Sequence, residues 1–471
     1  MKFSELEQLW DGGQVLKKLK GIDLRFSHKL TRIPDVSASP DLERINLEGC
    51  KFLREIPYSR IQQNLNNLID VNFRCCDSLR KVPDRILDAA SLRTLSLSPL
   101  NLLPTVITST SLESLNLCSS FNPETSSVDN CERLSNLSGL NNLNSLRGLS
   151  FRFCPNLKKL PVLPSNIEKL HIGEMTIEEL DFQSIEDLKL EKLCISDCIS
   201  LKSLPPRIFE LRFLRDLSLF GCTKLKNLPD IPKPMESLTD ICINEINIRK
   251  LPSSFGNLIG LRSLRARSCR YLKFDPEIIF NMPKLADLKL VRCPELRSFS
   301  FAGVDLENID VGHSYIKKIP ESIKDASKLR MLELTDCSDL RSIPALPLSL
   351  EYLDARGCTL LEEVSISEGA LTQELENNYP ITKNTSIFYN CSKLGQKALD
   401  NIITEFQRRV LRMATRFASL GHQEENLQVC TCCPGNEIPE WFDHQAEGCR
   451  IEFPLPHNNF LGGEIQLHPV G

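Results

Sequence analysis

The 471-residue chain has no run of the ~18 apolar residues that a membrane-spanning helix requires. Its opening stretch, MKFSELEQLWDGG, has no apolar signal core. Charge of one sign is also missing: the formal net charge is −4 with 25% charged residues, which gives no global pull towards nucleic acid or a membrane surface. No G-x-x-x-x-G-K-[ST] loop occurs, so nothing cradles a nucleotide phosphate. The seven histidines fall outside H-E-x-x-H and other metal spacings, no G-x-S-x-G elbow is present, and the carboxylates form no convergent pair. The cysteines of CTCC (430–433) stand too close together for C-x2-C, although His422 and His444 are near them in sequence. The expectation is a chain with no catalytic, metal-ligating or cofactor-binding residues, located in the cytoplasm or also in the nucleus. The sequons at Asn136, Asn384 and Asn390 are then silent, because glycosylation requires secretion.

What the chain does have is an internal repeat. LERINLEGCKFLREIP (42–57) is matched position for position by LRDLSLFGCTKLKNLP (214–229), LEKLCISDCISLKSLP (190–205), LRGLSFRFCPNLKKLP (146–161) and LRMLELTDCSDLRSIP (329–344). Looser copies begin at Leu19, Leu68, Leu92, Leu112, Ile167, Leu238, Leu261, Leu285, Leu306 and Leu350, giving fifteen in all, mostly 20 to 26 residues apart. The pattern is L-x-x-L-x-L-x-x-C-x-x-L-x-x-[LI]-P, a leucine-rich repeat. One turn cannot bury its apolar face alone, but stacked turns share a continuous core. Parallel strands lie about 4.8 Å apart, so fifteen would line an arc of roughly 70 Å. Pro57 and its equivalents hold the preceding residue out of helix. The expected fold is therefore an α/β leucine-rich-repeat solenoid, a horseshoe with its sheet on the concave side and irregular segments outside.

The ninth position carries Cys50, Cys76, Cys154, Cys198, Cys222, Cys269, Cys293, Cys337 and Cys358, nine of the nineteen cysteines. Their spacing is that of the repeat rather than of a disulfide framework, which points to a ladder of reduced thiols in an intracellular protein.

Residues 1–18 read as an N-terminal cap in which Leu6, Leu9, Trp10, Val15 and Leu16 seal the first repeat, and repeats occupy 19–364. An insertion rich in Ser, Asn and Pro (118–139) reads as an exposed loop. Residues 365–385 read as a linker or C-terminal cap, and 386–471 as a post-repeat domain of helix followed by strands. Within 393–421, Leu399, Ile403, Phe406, Val410, Met413, Ala414 and Phe417 have helical spacing, with Arg408, Arg409, Arg412 and Arg416 around them and Gly421 as the stop.

The tail also carries a resemblance. CCPGNEIPEWFDHQAEGCRIEFPLP (432–456) is similar to the post-repeat domain of plant TIR-type nucleotide-binding leucine-rich-repeat disease-resistance proteins, through Pro434, Gly435, Ile438, Pro439, Trp441 and Phe442. FYNCSKLGQKAL (388–399) resembles the start of that domain, and LEQLWDG resembles the family's first turn. The resemblance implies a β-sandwich tail, here shortened after NNFLG (458–462). It also implies intracellular recognition of a pathogen effector or a guarded host protein, with a nucleotide-binding domain as a further partner in cis or in trans. The family's nucleotide switch and NAD-consuming TIR domain have no counterpart in this chain. An adaptor role, such as substrate recognition for a ubiquitin ligase, or titration of full receptors by a truncated one, are the competing expectations.

In L-x-x-L-x-L-x-x-C the second, third, fifth, seventh and eighth positions face away from the core. Arg262, Arg265, Arg267, Lys289 and Arg292 stand there in two adjacent repeats, as a basic patch for an acidic partner. Phe153, Phe220, His313, Tyr352 and Arg356 occupy outward positions too, and exposed aromatics and arginines are the usual interface anchors. Specific DNA binding is not expected from five charges without a motif.

Overall fold

A computed structural model describes residues 2–9, 16–36, 39–57, 65–87, 89–98, 111–118, 140, 143–154, 157, 159–182, 187–298, 305–366, 383–420, 428–432 and 464–467. It divides into two compact units, Met1–Asp230 and Ile231–Gly471. The insertion at 119–139, Trp10, Val15 and Gly421 lie outside the described residues.

The first unit holds β1 (Gly21–Asp23), β2 (Arg44–Asn46), β3 (Asp70–Phe73), β4 (Thr94–Leu97), β5 (Ser114–Cys118), β6 (Gly148–Arg152), β7 (Lys169–Gly173), β8 (Lys192–Ser196) and β9 (Asp216–Phe220), with a one-turn helix α1 (Asp84–Leu87). Each strand pairs in parallel with the next in sequence. The second unit repeats the arrangement with β10 (Asp240–Asn244), β11 (Ser263–Arg267), β12 (Asp287–Val291), β13 (Asn308–Asp310) and β14 (Met331–Glu333). The short β15 (Ser342–Ile343) follows, then β16 (Tyr352–Asp354) and the short β17 (Glu363–Val364). Every strand of the two main ladders starts two residues after the first residue of a predicted copy.

The reason is local. Positions four and six alternate into the core while position five faces out, and the first, ninth and twelfth positions close the turn beneath them. In the copy at Leu42, the residues Leu42, Ile45, Leu47, Cys50 and Leu53 are fully buried. Burial of each leucine or isoleucine contributes roughly 1.5–3 kcal/mol. On the return path, one to two turns of 3-10 helix follow the proline where irregular chain was expected, as at Ser253–Asn257 after Pro252 and Glu321–Asp325 after Pro320. Proline holds φ near −65°, which suits the residue just ahead of such a turn.

The eighth position is left-handed in every copy where it is described, from φ 51° at Phe153 to 75° at Gly49. This residue swings the chain out of the strand, and its N–H still donates to the next repeat, as from Asp197 to the Phe220 carbonyl (2.8 Å). The cysteine that follows turns inward, and its Sγ–H donates to the sixth-position carbonyl of the preceding repeat. Such bonds run from Cys50 to Leu24 (3.1 Å), Cys76 to Leu47 (3.1 Å), Cys269 to Ile243 (3.1 Å), Cys337 to Val311 (3.3 Å) and Cys358 to Leu334 (3.2 Å). Cys154 and Cys222 also reach the seventh-position carbonyl of their own repeat, Arg152 (3.3 Å) and Phe220 (3.4 Å). Burial pushes the Cys50, Cys337 and Cys358 thiols up, Cys50 to about 11, so these stay protonated donors at neutral pH. The described cysteines form no disulfide.

Three features depart from the sequence reading. Leu6, expected to seal the first repeat, is solvent-exposed. Phe3 stacks on Phe26 instead (centroids 5.2 Å apart), with the Phe3 N–H donating to the Arg25 carbonyl. Second, where a separate sandwich was expected, the described tail strands continue the repeat sheet. Here β18 (Lys383–Ile387) pairs in parallel with β16, β19 (Gln428–Cys432) with β18, and β20 (Glu464–Leu467) with β19. The cause is a degenerate further copy: Phe388 fills the sixth position, Asn390 is left-handed, and Cys391 donates to the Ala355 carbonyl at 3.1 Å. The boundary placed at 385 thus falls inside β18.

Third, α2 (Gln396–Leu420) forms as expected but buries a stripe rotated by about one residue. Ala398, Ile402, Phe406 and Arg409 are buried, while Leu399, Ile403 and Val410 are half-buried. Polar contacts set this rotation. Arg409 donates to the Leu350 carbonyl (2.8 Å) and to Glu405 (3.0 Å), and Asn401 donates to the Val364 carbonyl (2.8 Å).

Two outcomes are expected. Cys269→Ala removes the thiol donor to the Ile243 carbonyl and should destabilise by about 0.5–1.5 kcal/mol in urea titration, with Cys269→Ser recovering most of the loss by keeping a donor. Arg409→Met removes the guanidinium that holds the Leu350 carbonyl and pairs with Glu405, and should cost about 1–3 kcal/mol locally, read as early proteolytic cleavage within α2.

Candidate protein-binding surface

The outward rows of the second unit are fixed by strand register. At the fifth position Arg265 lies beside Lys289, Lys289 beside Asp310, Asp310 beside Glu333, and Glu333 beside Asp354. Arg262, Arg265, Arg267 and Arg292 are exposed and Lys289 is half-buried. Arg262 lies just ahead of β11, Arg265 and Arg267 on β11, Lys289 on β12 and Arg292 in the turn after β12, so the five residues of the expected basic patch fall on two adjacent repeats. Arg265 makes an ion pair with Asp240 at 3.7 Å. Among the described residues Arg262, Arg267, Lys289 and Arg292 make none.

The patch is not uniformly basic at its border. Asp310 and Glu333 continue the same row, and both are half-buried. Burial and the neighbouring carboxylates Asp310 and Asp354 push the Glu333 carboxyl up from its ordinary 4.5, while Lys289 opposes the shift. Reading copies along the chain hides this sequence of charges. Reading down the fifth column across copies would have found it.

Tyr352, Asp354 and Arg356 form a closed cluster. Asp354 is buried, accepts from the Tyr352 hydroxyl (3.2 Å), and is gripped by the Arg356 guanidinium, with Nε 3.0 Å from Oδ1 and 2.8 Å from Oδ2 and Nη2 on Oδ2. The Arg356 charge is thus spent within the sheet face, and Tyr352 is held in place by the same carboxylate. His313 sits at a left-handed eighth position, with Nδ1 3.3 Å from Asp336.

Phe153 and Phe220 lie in the first unit, three repeats apart. Phe153 is half-buried in a left-handed turn, and Phe220 is 36% exposed at the end of β9. The fifth row of that unit is largely neutral, running through Asn72, Ser96, Asn116, Ser150 and His171. Burial first, and Arg152 second, hold the His171 imidazole below its ordinary value. Its Nε2 lies 3.1 Å from the Ser196 hydroxyl. The tail residues Pro434, Gly435, Ile438, Pro439, Trp441 and Phe442 lie outside the described residues, as do His422 and His444. No described helix is long and apolar enough to cross a membrane.

A family model described as "Disease resistance protein RPS4B-like, leucine-rich repeats" matches residues 210–309. The chain is similar to the repeat-bearing part of plant disease-resistance proteins. It is 26% identical to the Arabidopsis thaliana disease resistance protein RPS4B, over 97% of this chain and 28% of that protein. It is 30% identical to the disease resistance-like protein DSC1 of the same plant, over 98% of this chain and 34% of that one. The chain thus spans roughly a third or less of the length of these relatives. Among solved structures, a leucine-rich-repeat protein of Leptospira interrogans overlaps 83% of this chain and 95% of its own, at 15% identity and TM-score 0.48. The leucine-rich repeat domain of the type III effector XopL overlaps 44% of this chain and 75% of its own, at 27% identity and TM-score 0.39. The fold and these relatives mark the chain as a leucine-rich-repeat protein similar to plant disease-resistance proteins.

Glu333 gives a pH test. Its carboxyl is raised in the folded state, so the stability it contributes is present below pH 4.5 and is lost as pH rises through the raised value. Glu333→Gln should therefore stabilise the protein at pH 7, by no more than about 1 kcal/mol at this half-exposed site. Urea midpoints measured at pH 7 and below pH 4.5 should show the gain vanish in acid.

Proposed function

We propose that the protein is an intracellular recognition module of plant defence. It binds a pathogen effector or a guarded host protein through the exposed sheet face of its second unit, centred on Arg262, Arg265, Arg267, Lys289 and Arg292. The observation that carries this reading is the concentration of cations on two adjacent repeats, four of them without an ion-pair partner among the described residues. Elsewhere the chain neutralises its outward charges between neighbouring repeats, as in Arg93–Glu113 (3.1 Å), Arg152–Glu174 (2.8 Å) and Lys192–Asp216 (2.6 Å). Uncompensated charge on a rigid sheet raises association rates and selects an oppositely charged partner. His313, Phe153, Phe220 and the tail serve as secondary contacts. Signalling itself belongs to a nucleotide-binding domain, engaged in cis or in trans.

The test is quantitative proximity labelling in plant cells challenged with a pathogen, comparing the full chain with a variant carrying Arg262→Glu, Arg265→Glu and Lys289→Glu. The variant should lose at least about tenfold in enrichment of the partners labelled by the parent chain, with an unchanged urea midpoint. An identical partner profile from a folded triple variant would overturn the reading.

A further inference from the structure

Along the fifth row of the second unit the sign of charge changes once. Arg265 and Lys289 occupy adjacent rungs, and Asp310 and Glu333 occupy the next two. With rungs about 4.8 Å apart, the centres of the two pairs lie roughly 10 Å from each other. Beside the strip, Arg262, Arg267 and Arg292 are exposed around the Arg265–Lys289 pair and outnumber Asp240, which lies 3.7 Å from Arg265. Beyond Glu333 the acidic run stops being available, because Asp354 is buried and held by Arg356 and Tyr352. The free negative charge is therefore confined to Asp310 and Glu333, and the row ends as a dipole rather than a patch.

We propose that this strip binds a partner-protein segment whose own charge changes sign: acidic side chains over Arg265 and Lys289, and a basic side chain over Asp310 and Glu333. The inference rests on the preceding reading of this face and names the chemistry of its partner. A uniformly acidic segment long enough to cover the strip would set like charges against two half-buried carboxylates, which binding would then desolvate without compensation. A segment that changes sign supplies a counter-ion to each end and is fixed in register by doing so. The separation sets its length scale. The change of sign falls within about three residues of an extended segment, or about seven of a helix.

Synthetic peptides test this with the full chain, by fluorescence anisotropy at physiological salt. The probes are a block peptide of about four glutamates followed by about four arginines, an alternating peptide of the same composition, and an all-glutamate peptide of the same length. The block peptide should bind about tenfold tighter than either of the others. Reversing one end with R265E/K289E should cost about tenfold in affinity for the block peptide. Reversing both ends with R265E/K289E/D310K/E333K should restore most of it, because the peptide then binds turned end for end. R265Q/K289Q, which adds no repulsion, replaces the reversal if R265E/K289E fails to fold, and it too should lose block-peptide binding. Equal binding of the alternating or all-glutamate peptide would overturn the dipole while leaving a basic docking face in place. A fourfold variant as weak as R265E/K289E would also overturn it. Absence of binding by every peptide would remove the docking face together with the dipole.

Discussion

Each time the chain leaves a strand it must turn sharply inward, over the carbonyl that ended the previous strand. That carbonyl lies in the interior and accepts the backbone N–H three residues on, as from Cys50 to Leu47 (3.1 Å) and from Cys337 to Leu334 (3.1 Å), which leaves its second lone pair open. In the copies that carry it, the cysteine thiol of the next turn fills that second position, as from Cys76 to Leu47 (3.1 Å) and from Cys358 to Leu334 (3.2 Å). It is small enough to sit beneath the turn, apolar enough to belong in the core, and it still carries a weak donor. The left-handed residue before it supplies the change of direction, and because most copies use a side chain other than glycine there, the conformation stores strain of order 1–2 kcal/mol each time. Stacking overcomes that strain: the burial of five apolar side chains per turn outweighs one unfavourable dihedral. Thiol, left-handed turn and leucine column therefore act as one unit, and the placing of every outward side chain follows from it.

The two faces of a strand then answer to different rules. Inward positions are held nearly constant because each must fit the copy on either side. Outward positions touch only their equivalents one rung away, so their chemistry is free to vary. Charge on this face is mostly cancelled between neighbouring rungs. The stretch from Arg265 to Glu333 departs from that habit, since like charges stand on adjacent rungs in pairs instead of alternating with opposite ones.

Much of this was legible in the sequence, because a repeat states its constraints many times over. Strand positions, the buried thiols and the outward cations all follow from the pattern L-x-x-L-x-L-x-x-C. Where the structure added something, the local signal was weak or pointed elsewhere. Cys391 belongs to the ladder, but its copy has Ser386 where a leucine is expected, so the pattern breaks just where the fold continues. Arg409 looks like one of several solvated arginines on an amphipathic helix, and its burial depends on the Leu350 carbonyl and Glu405, which no periodicity registers. Leu6 fits a hydrophobic cap by type, yet it is exposed, and the ring that contacts the first repeat by stacking is Phe3, on Phe26. The acidic half of the charged strip is visible only when copies are compared down a column, since consecutive members are more than twenty residues apart in sequence.

The thiol-to-carbonyl contact joins a turn only to the one before it, through atoms that are nearly the same in every copy that carries the cysteine. Loss or duplication of such a copy by unequal recombination would therefore leave the interior chemistry of the seam little changed. The outward row would be rewritten at the same stroke. Removing the copy that carries Lys289 would bring Arg265 next to Asp310 and shorten the positive run by one rung, while duplicating it would lengthen that run. A lineage of such proteins can thus explore new outward charge sequences in single genetic steps, each starting from an interior that already folds.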